Sequence, residues 1–300
     1  MNRSFHPDGG TGVGAAGSQI LAGAGWGGLF WKRLLKNRLA AAGGVLLLGF
    51  LLLAIAAPLA APEDPFAQNL YERLQPPSLA NPFGTDDFGR DVLSRVIHGA
   101  RISLRVGVTA VLIALVLGVP IGLVSGYWGG ALDQVLMRAM DLMLAFPSIL
   151  LAIAIVAILG PGLENAMLAV GIVAVPQYAR LVRASALSVR GQDYVQAMRA
   201  LGAGDFHILF FSVLPNCLTP LIVQSTLGLA TAILDAAGLS FLGLGAQPPL
   251  PEWGAMLTGG RELVLRAPWV LTFPGVAIFL TVLAFNLLGD GLRDALDPRT

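Results

Sequence analysis

Gly12, Gly14 and Gly17 fit the dinucleotide pattern G-x-G-x-x-G. That pattern cradles a pyrophosphate only when a strand precedes it and a helix follows. Here it lies in a tail, 1–28, rich in Gly, Ala and Ser and without an apolar core, so it reads as coincidence. Asp87-Phe88-Gly89 spells the magnesium tripeptide of protein kinases, yet no Gly-rich loop, paired lysine or catalytic loop accompanies it. No G-x-x-x-x-G-K-[ST] run is present, so this chain carries no P-loop for ATP. His6, His98 and His207 are too scattered for a metal site, and the single Cys217 fits no disulfide within the chain and no metal spacing. No nucleophile–base constellation appears. The expectation is a non-catalytic chain that holds no cofactor and no metal.

The composition says where such a chain belongs. Residues of the set AVILMFWYC make up 55% and charged residues only 12%, in 300 residues with 37 glycines. Soluble domains carry about 25% charge, so a polar surface cannot be built from this sequence. The formal net charge of +1, with lysine only at Lys32 and Lys36, supplies no basic field for nucleic acid.

Uncharged runs cover 39–62, 106–132, 142–163, 165–179, 208–234 and 267–289. A helix needs about 20 apolar residues to cross a bilayer core. The fourth run reaches that length if Arg180 snorkels to the interface. The reading is an all-α polytopic membrane protein with six transmembrane helices, at 39–62, 106–126, 142–161, 165–181, 210–234 and 267–289. The basic segment 29–38, with Lys32, Arg33, Lys36 and Arg38, directly precedes the first span and belongs on the cytoplasmic side. The acidic loop 63–100, with Glu63, Asp64, Glu72, Asp86, Asp87 and Asp91 against three arginines up to Arg95, suits the outside. Arg180, Arg183, Arg190 and Arg199 against Asp193 suit the inside between spans four and five. Both termini are then cytoplasmic.

Four features inside this frame stand out. Gly118, Gly122 and Gly126 recur every four residues, a stripe that suits close helix packing or one wall of a path. Asp141 and Asp235 sit at span ends, where an ionisable group either serves function or pairs locally. Residues 84–95 read as a capped helix with Thr85 or Asp86 at its N-cap and acids in the first turn. The apolar, glycine-rich 239–245 within the connection 236–266 suits a re-entrant segment.

The inner connection, 190–207, carries the most information. Along Asp193-Tyr194-Val195-Gln196-Ala197-Met198-Arg199-Ala200-Leu201-Gly202-Ala203, the spacing predicts a helix with Tyr194, Ala197 and Leu201 on one face. Asp193, Gln196 and Arg199 stay polar, and Gly202 ends the helix in a left-handed cap. A second short helix then starts at Asp205 and is broken again near Pro215. Such an elbow either docks its apolar face into a partner's groove or lies on the membrane surface.

Gln196-Ala197-Met198, Gly202 and Ser212-Val213-Leu214-Pro215 resemble the E-A-A…G…I-x-L-P motif of permease subunits of ATP-binding-cassette importers. Ala197, Gly202, Leu214 and Pro215 match, whereas Gln196, Met198 and Ser212 depart. The resemblance runs from about 29 to 298. Residues 84–95 and 99–104, 239–245, Gln247-Pro248-Pro249 and Glu252-Trp253-Gly254 are similar to the second permease subunit of the dipeptide/oligopeptide/nickel family. The resemblance implies a type I importer permease core over 101–298 in the cell inner membrane. It implies as partners a related second permease, two cytoplasmic P-loop ATPases that bind ATP and magnesium, and an extracytoplasmic substrate-binding protein. Asp193, Tyr194, Gln196, Ala197, Met198, Ala200, Leu201, Gly202 and Ala203 would couple to the ATPases. Asp86, Asp87, Arg90 and Asp91 are expected where the binding protein docks. Peptides are the expected cargo, with nickel or another small solute as the alternative. An ion-coupled secondary transporter is the competing class, and it lacks the buried carboxylate relay that it would need.

Overall fold

The computed structural model describes Leu34 and residues 36–296. The tail 1–28, Lys32, Arg33 and positions 297–298 fall outside the described residues. All regular structure among the described residues is helical, apart from one isolated bridge between Thr85 and Asp91. In chain order the helices are α1 (Arg38–Ala60), α2 (Val92–Trp128), α3 (Gly130–Leu144), α4 (Ser148–Leu159), α5 (Leu163–Arg190), α6 (Asp193–Ala200), α7 (Asp205–Ile208), α8 (Leu214–Phe241), α9 (Trp253–Gly260) and α10 (Trp269–Leu296). A π-helical turn, Leu209–Val213, joins α7 to α8.

By length and composition α1, α2, α5, the run 205–241 and α10 can each cross a bilayer. The third expected span, 142–161, is corrected: α3 and α4 are bent by 94° where they meet. Pro147 sets the break, because it lacks an N–H and its backbone is extended at the start of α4. With 12 residues α4 reaches only about 18 Å, short of a hydrocarbon core of about 30 Å, so it crosses only together with α3.

Two further boundaries differ from expectation. Helix α2 begins at Val92, well inside the expected loop 63–100. Helix α8 continues through Leu239-Ser240-Phe241, which leaves only 242–266 of the expected re-entrant segment. The reason in the second case is packing. Leu239 is fully buried, and the Thr258 hydroxyl of α9 donates to the Ser240 carbonyl at 3.0 Å.

The central pair is α2 with α5. A Cβ added at Gly118 would stand 2.8 Å from the Tyr178 Cβ, one at Gly122 2.4 Å from the Ala179 carbonyl, and one at Gly126 2.7 Å from the Ala186 Cβ. The glycine stripe thus lets two long helices approach at backbone distance. Helix α8 packs on α2, α5 and α10, and α1 closes the bundle against α2 and α10. Near the α3 end of the pair, Arg183 grips Asp133 with Nε and Nη2, at 2.6 and 2.7 Å, and Ser125 also donates to that carboxylate.

Candidate functional site: a helical elbow and the opposite rim

Helix α6 ends as its sequence dictates. Gly202 has φ +84°, which an L side chain rarely adopts, and the Ala203 N–H returns to the Met198 carbonyl at 3.0 Å. Helix α7 starts three residues later, at Asp205. The back of this elbow joins the main core, where Val195 and Ile208 are both 0% exposed beside Val213 and Cys217. Its front is bare: Leu201 is 88% exposed and Phe206 71%, with Tyr194, Gln196, Ala197 and Ala200 also open. Asp193 lies in the first turn and is exposed.

One polar residue is placed differently from expectation. Arg199 turns inward, with its guanidinium 5.2 Å from the centre of the Tyr127 ring at the end of α2. The Tyr127 hydroxyl in turn donates to Asp205 at 2.6 Å. Helices α2, α6 and α7 are therefore tied together by one aromatic side chain and two opposite charges.

Two departures from the importer motif meet each other. The Ser212 hydroxyl contacts the Met198 sulfur at 3.3 Å, so a larger residue on α6 faces a smaller one on the π-helical turn. This exchange conserves volume, which cores tolerate best. Asn216 adds a link from α8, donating to the Tyr194 hydroxyl at 3.3 Å.

The opposite rim is built from residues 62–91 and 242–266. The expected helix starting at Thr85 or Asp86 is corrected: Asp91 is the N-cap, accepting from the Ser94 N–H at 2.7 Å. Gly89, at φ +71°, prevents an earlier start, and a Cβ there would collide with the Asn69 carbonyl. The chain instead folds back on itself. Asp86 accepts from the Phe88 and Arg90 N–H groups at 2.9 and 3.0 Å and from Arg90 Nε at 2.7 Å. Asp91 also takes the Asn81 amide at 3.2 Å. Asp86, Arg90 and Asp91, expected on a docking surface, are thus buried in the rim's own network. Asp87 and Phe88 remain at the surface. Partial burial, with Asp86 alongside, raises the Asp87 carboxyl above the ordinary aspartate value.

Sequence reasoning missed the anchor of this rim. Trp253 is fully buried, donates Nε1 to the Val96 carbonyl at 2.9 Å and meets the Phe50 ring edge-on at 5.9 Å. Glu252 caps α9 through the Gly254 and Ala255 N–H groups, both at 2.9 Å. Burial holds its carboxyl above the usual glutamate value despite those donors. The sequence signal was present in Glu252-Trp253-Gly254, an acid before a short helix whose glycine lets Ala237 approach.

Among the described residues no cluster of His, Cys, Asp and Glu could hold a metal ion. The elbow has no nucleophile paired with a base. What its arrangement can do is mechanical, because a rigidly mounted apolar knob transmits displacement into the bundle.

Comparisons with known proteins agree on one architecture. Residues 118–300 match the family model "Binding-protein-dependent transport system inner membrane component", and 26–77 match "N-terminal TM domain of oligopeptide transport permease C". A dipeptide transport system permease protein of Alkalihalophilus pseudofirmus is 53% identical over 269 residues, covering 90% of this chain and 88% of the relative. The dipeptide transport system permease protein of Escherichia coli K12 is 52% identical over 276 residues, 90% of this chain and 92% of that one. A glutathione transport system permease protein of Pectobacterium atrosepticum is 48% identical, covering 90% of each chain. In fold, the chain is similar to a chain of the MetNI methionine ABC transporter in an inward-facing conformation, with TM-score 0.57 and 21% identity, over 68% of this chain and 97% of that one.

Proposed function

The chain belongs to the inner-membrane components of binding-protein-dependent transport systems and is a multi-pass permease of an ATP-binding-cassette importer, and on that premise we propose that it forms half of a path for small peptides, driven through the α6–α7 elbow. The observation that carries the coupling role is the asymmetry of that elbow. Val195 and Ile208 lock its back into the hydrophobic core of the bundle, while Tyr194, Ala197, Leu201 and Phe206 leave its front largely uncovered. An exposed apolar helix face of this kind fits a groove on a partner.

The remaining assignments follow from the same reading. The elbow and both termini lie in the cytoplasm, with the 62–91 rim outside, in the order that the arginine distribution favours. A related permease completes the path, two P-loop ATPases seat the elbow and hold ATP and magnesium, and a binding protein delivers cargo to the rim. This chain performs no catalysis. ATP-driven closure of the ATPases moves α6 and α7 as one body, and Tyr127–Asp205 passes that motion to the end of α2. The π-helical turn 209–213 gives α8 an irregular joint beside the elbow, and such turns frequently mark functional sites. Opposed packings of the bundle then open one side or the other. Peptide cargo is supported by the relatives above, whose names specify dipeptide and glutathione transport.

Gentle detergent extraction of the tagged chain from its own membranes tests this reading. Co-elution of a second permease and P-loop ATPases, with ATP-dependent dipeptide uptake by the reconstituted assembly, is the expected result. Uptake by the chain without any ATPase would overturn it.

A further inference from the structure

A cavity of about 180 Å³ lies between α2, α4, α5 and α8, and its polar lining comes from Ser148, Gln177, Tyr178, Thr231 and Asp235. Drug-sized ligands occupy pockets of about 300–1,000 Å³, so this one fits one end of a solute. Its shape depends on Gly228, where a Cβ would stand 2.4 Å from the Tyr178 hydroxyl. That hydroxyl reaches the Gln224 carbonyl at 3.4 Å, which lays the ring along α8.

Asp235 is the one acid in this lining. It sits six residues before the end of α8, roughly 9 Å along the axis, within the apolar run 205–241. Its side chain is half-buried, and among the described residues no donor or cation meets it. Other aspartates of the bundle are provided for: Asp133 by Arg183, Asp141 by Arg180 and Asp205 by Tyr127. An ionisable group at membrane depth faces a cavity and pairs with an opposite charge, because leaving it alone in hydrocarbon is costly. Here the described residues supply the cavity and the anion but no cation.

We propose that Asp235 receives the positively charged amino group of the transported solute as it passes this cavity. The neutral donors and acceptors of Ser148, Gln177 and Thr231 surround that group without competing for the charge. This inference rests on the peptide reading above, since a peptide with a free N-terminus brings the ammonium that the site lacks.

The test uses the complete transporter with its binding protein in proteoliposomes and labelled alanyl-alanine. Asp235→Asn keeps the shape and removes the charge, whereas Asp235→Glu keeps the charge. Uptake at saturating loaded binding protein should fall at least tenfold in Asp235→Asn and recover to at least a third of wild type in Asp235→Glu. Uptake within twofold of wild type in Asp235→Asn overturns the proposal, as does a Glu variant worse than the Asn variant, the order that a purely structural hydrogen bond produces.

A second measurement decides even if Asp235→Asn fails to assemble. In a Cys217→Ser background, Thr231→Cys should react at least fivefold faster with a cationic than with an anionic thiosulfonate reagent, and alanyl-alanine under ATP turnover should slow that reaction. Equal rates without protection overturn the proposal. A wild-type transporter that takes up no dipeptide overturns the peptide reading and this inference with it. Dipeptide uptake insensitive to Asp235→Asn sinks only the inference.

Discussion

At the elbow, Ala197 and Leu201 are held outward, Tyr194 is half-exposed and meets only Asn216 through its hydroxyl among the described residues, and the polar Arg199 is drawn in over Tyr127. At the rim around 84–95 the placement is reversed. The charged Asp86 and Arg90 are buried against each other, Asp91 is buried against Asn81 and the Ser94 N–H, and the bulky Phe88 reaches the surface. In both regions charged side chains are thus drawn inward, with Asp193 left exposed at the elbow. At both ends charged side chains hold a turn in shape. The elbow leaves small and apolar side chains exposed beside Asp193 and Gln196, and the rim leaves its self-satisfied turn.

Four substitutions break or sharpen that contrast. The largest effect is expected at the rim's anchor: Trp253→Ala should cost about 3–5 kcal/mol, because it opens a cavity and removes the indole's hydrogen bond to the Val96 carbonyl. A fall in the Tm of the purified assembly measures it, and an unchanged Tm would mean that the rim is not anchored there. Ala197→Trp should act in the other way. The added ring meets solvent in this chain, so Tm should barely move, yet a blocked interface costs about 2 kcal/mol or more, or roughly thirtyfold in ATP-dependent uptake. Normal uptake with that ring in place would separate the elbow from coupling. Asp91→Ala removes the cap of α2 and the partner of Asn81, for about 1–2 kcal/mol seen as a lower Tm. Loss of uptake without loss of stability in that variant would instead make Asp91 a docking residue.

The smallest effect is a pH dependence. The folded Glu252 carboxyl binds its proton more tightly than an unfolded one, so its contribution to stability falls as pH rises from about 4.3 through the higher folded value. Glu252→Gln should flatten Tm against pH across that window, and a slope that persists would assign the dependence to Asp87 or another group.

Much of this arrangement can be read in the residues. Uncharged runs locate the bundle, and the alternation of Tyr194, Ala197, Leu201 and Gly202 describes the elbow, cap included. The misplaced parts have two causes, a proline whose local effect varies with its setting and partners that lie outside the local pattern. Pro147 bends the third span, although proline elsewhere in the chain, as at Pro120 and Pro176, stays inside long helices. Arg199 turns inward because Tyr127 and Asp205 wait there, 72 positions before it and six after. The rim acids are buried because Gly89 turns the chain back on Asn69, which no local pattern announces. The cavity at Asp235 needs four helices to be assembled before it exists.

Cross-linking from two positions distinguishes the elbow from the rim as the seat of the ATPases. In a Cys217→Ser background, Leu201→Cys and Phe88→Cys would each carry a short bifunctional cross-linker in native membranes. Position 201 should capture an ATPase subunit and position 88 should not. An ATPase captured from position 88, or none captured from position 201 in an assembly that still hydrolyses ATP during uptake, would contradict that assignment.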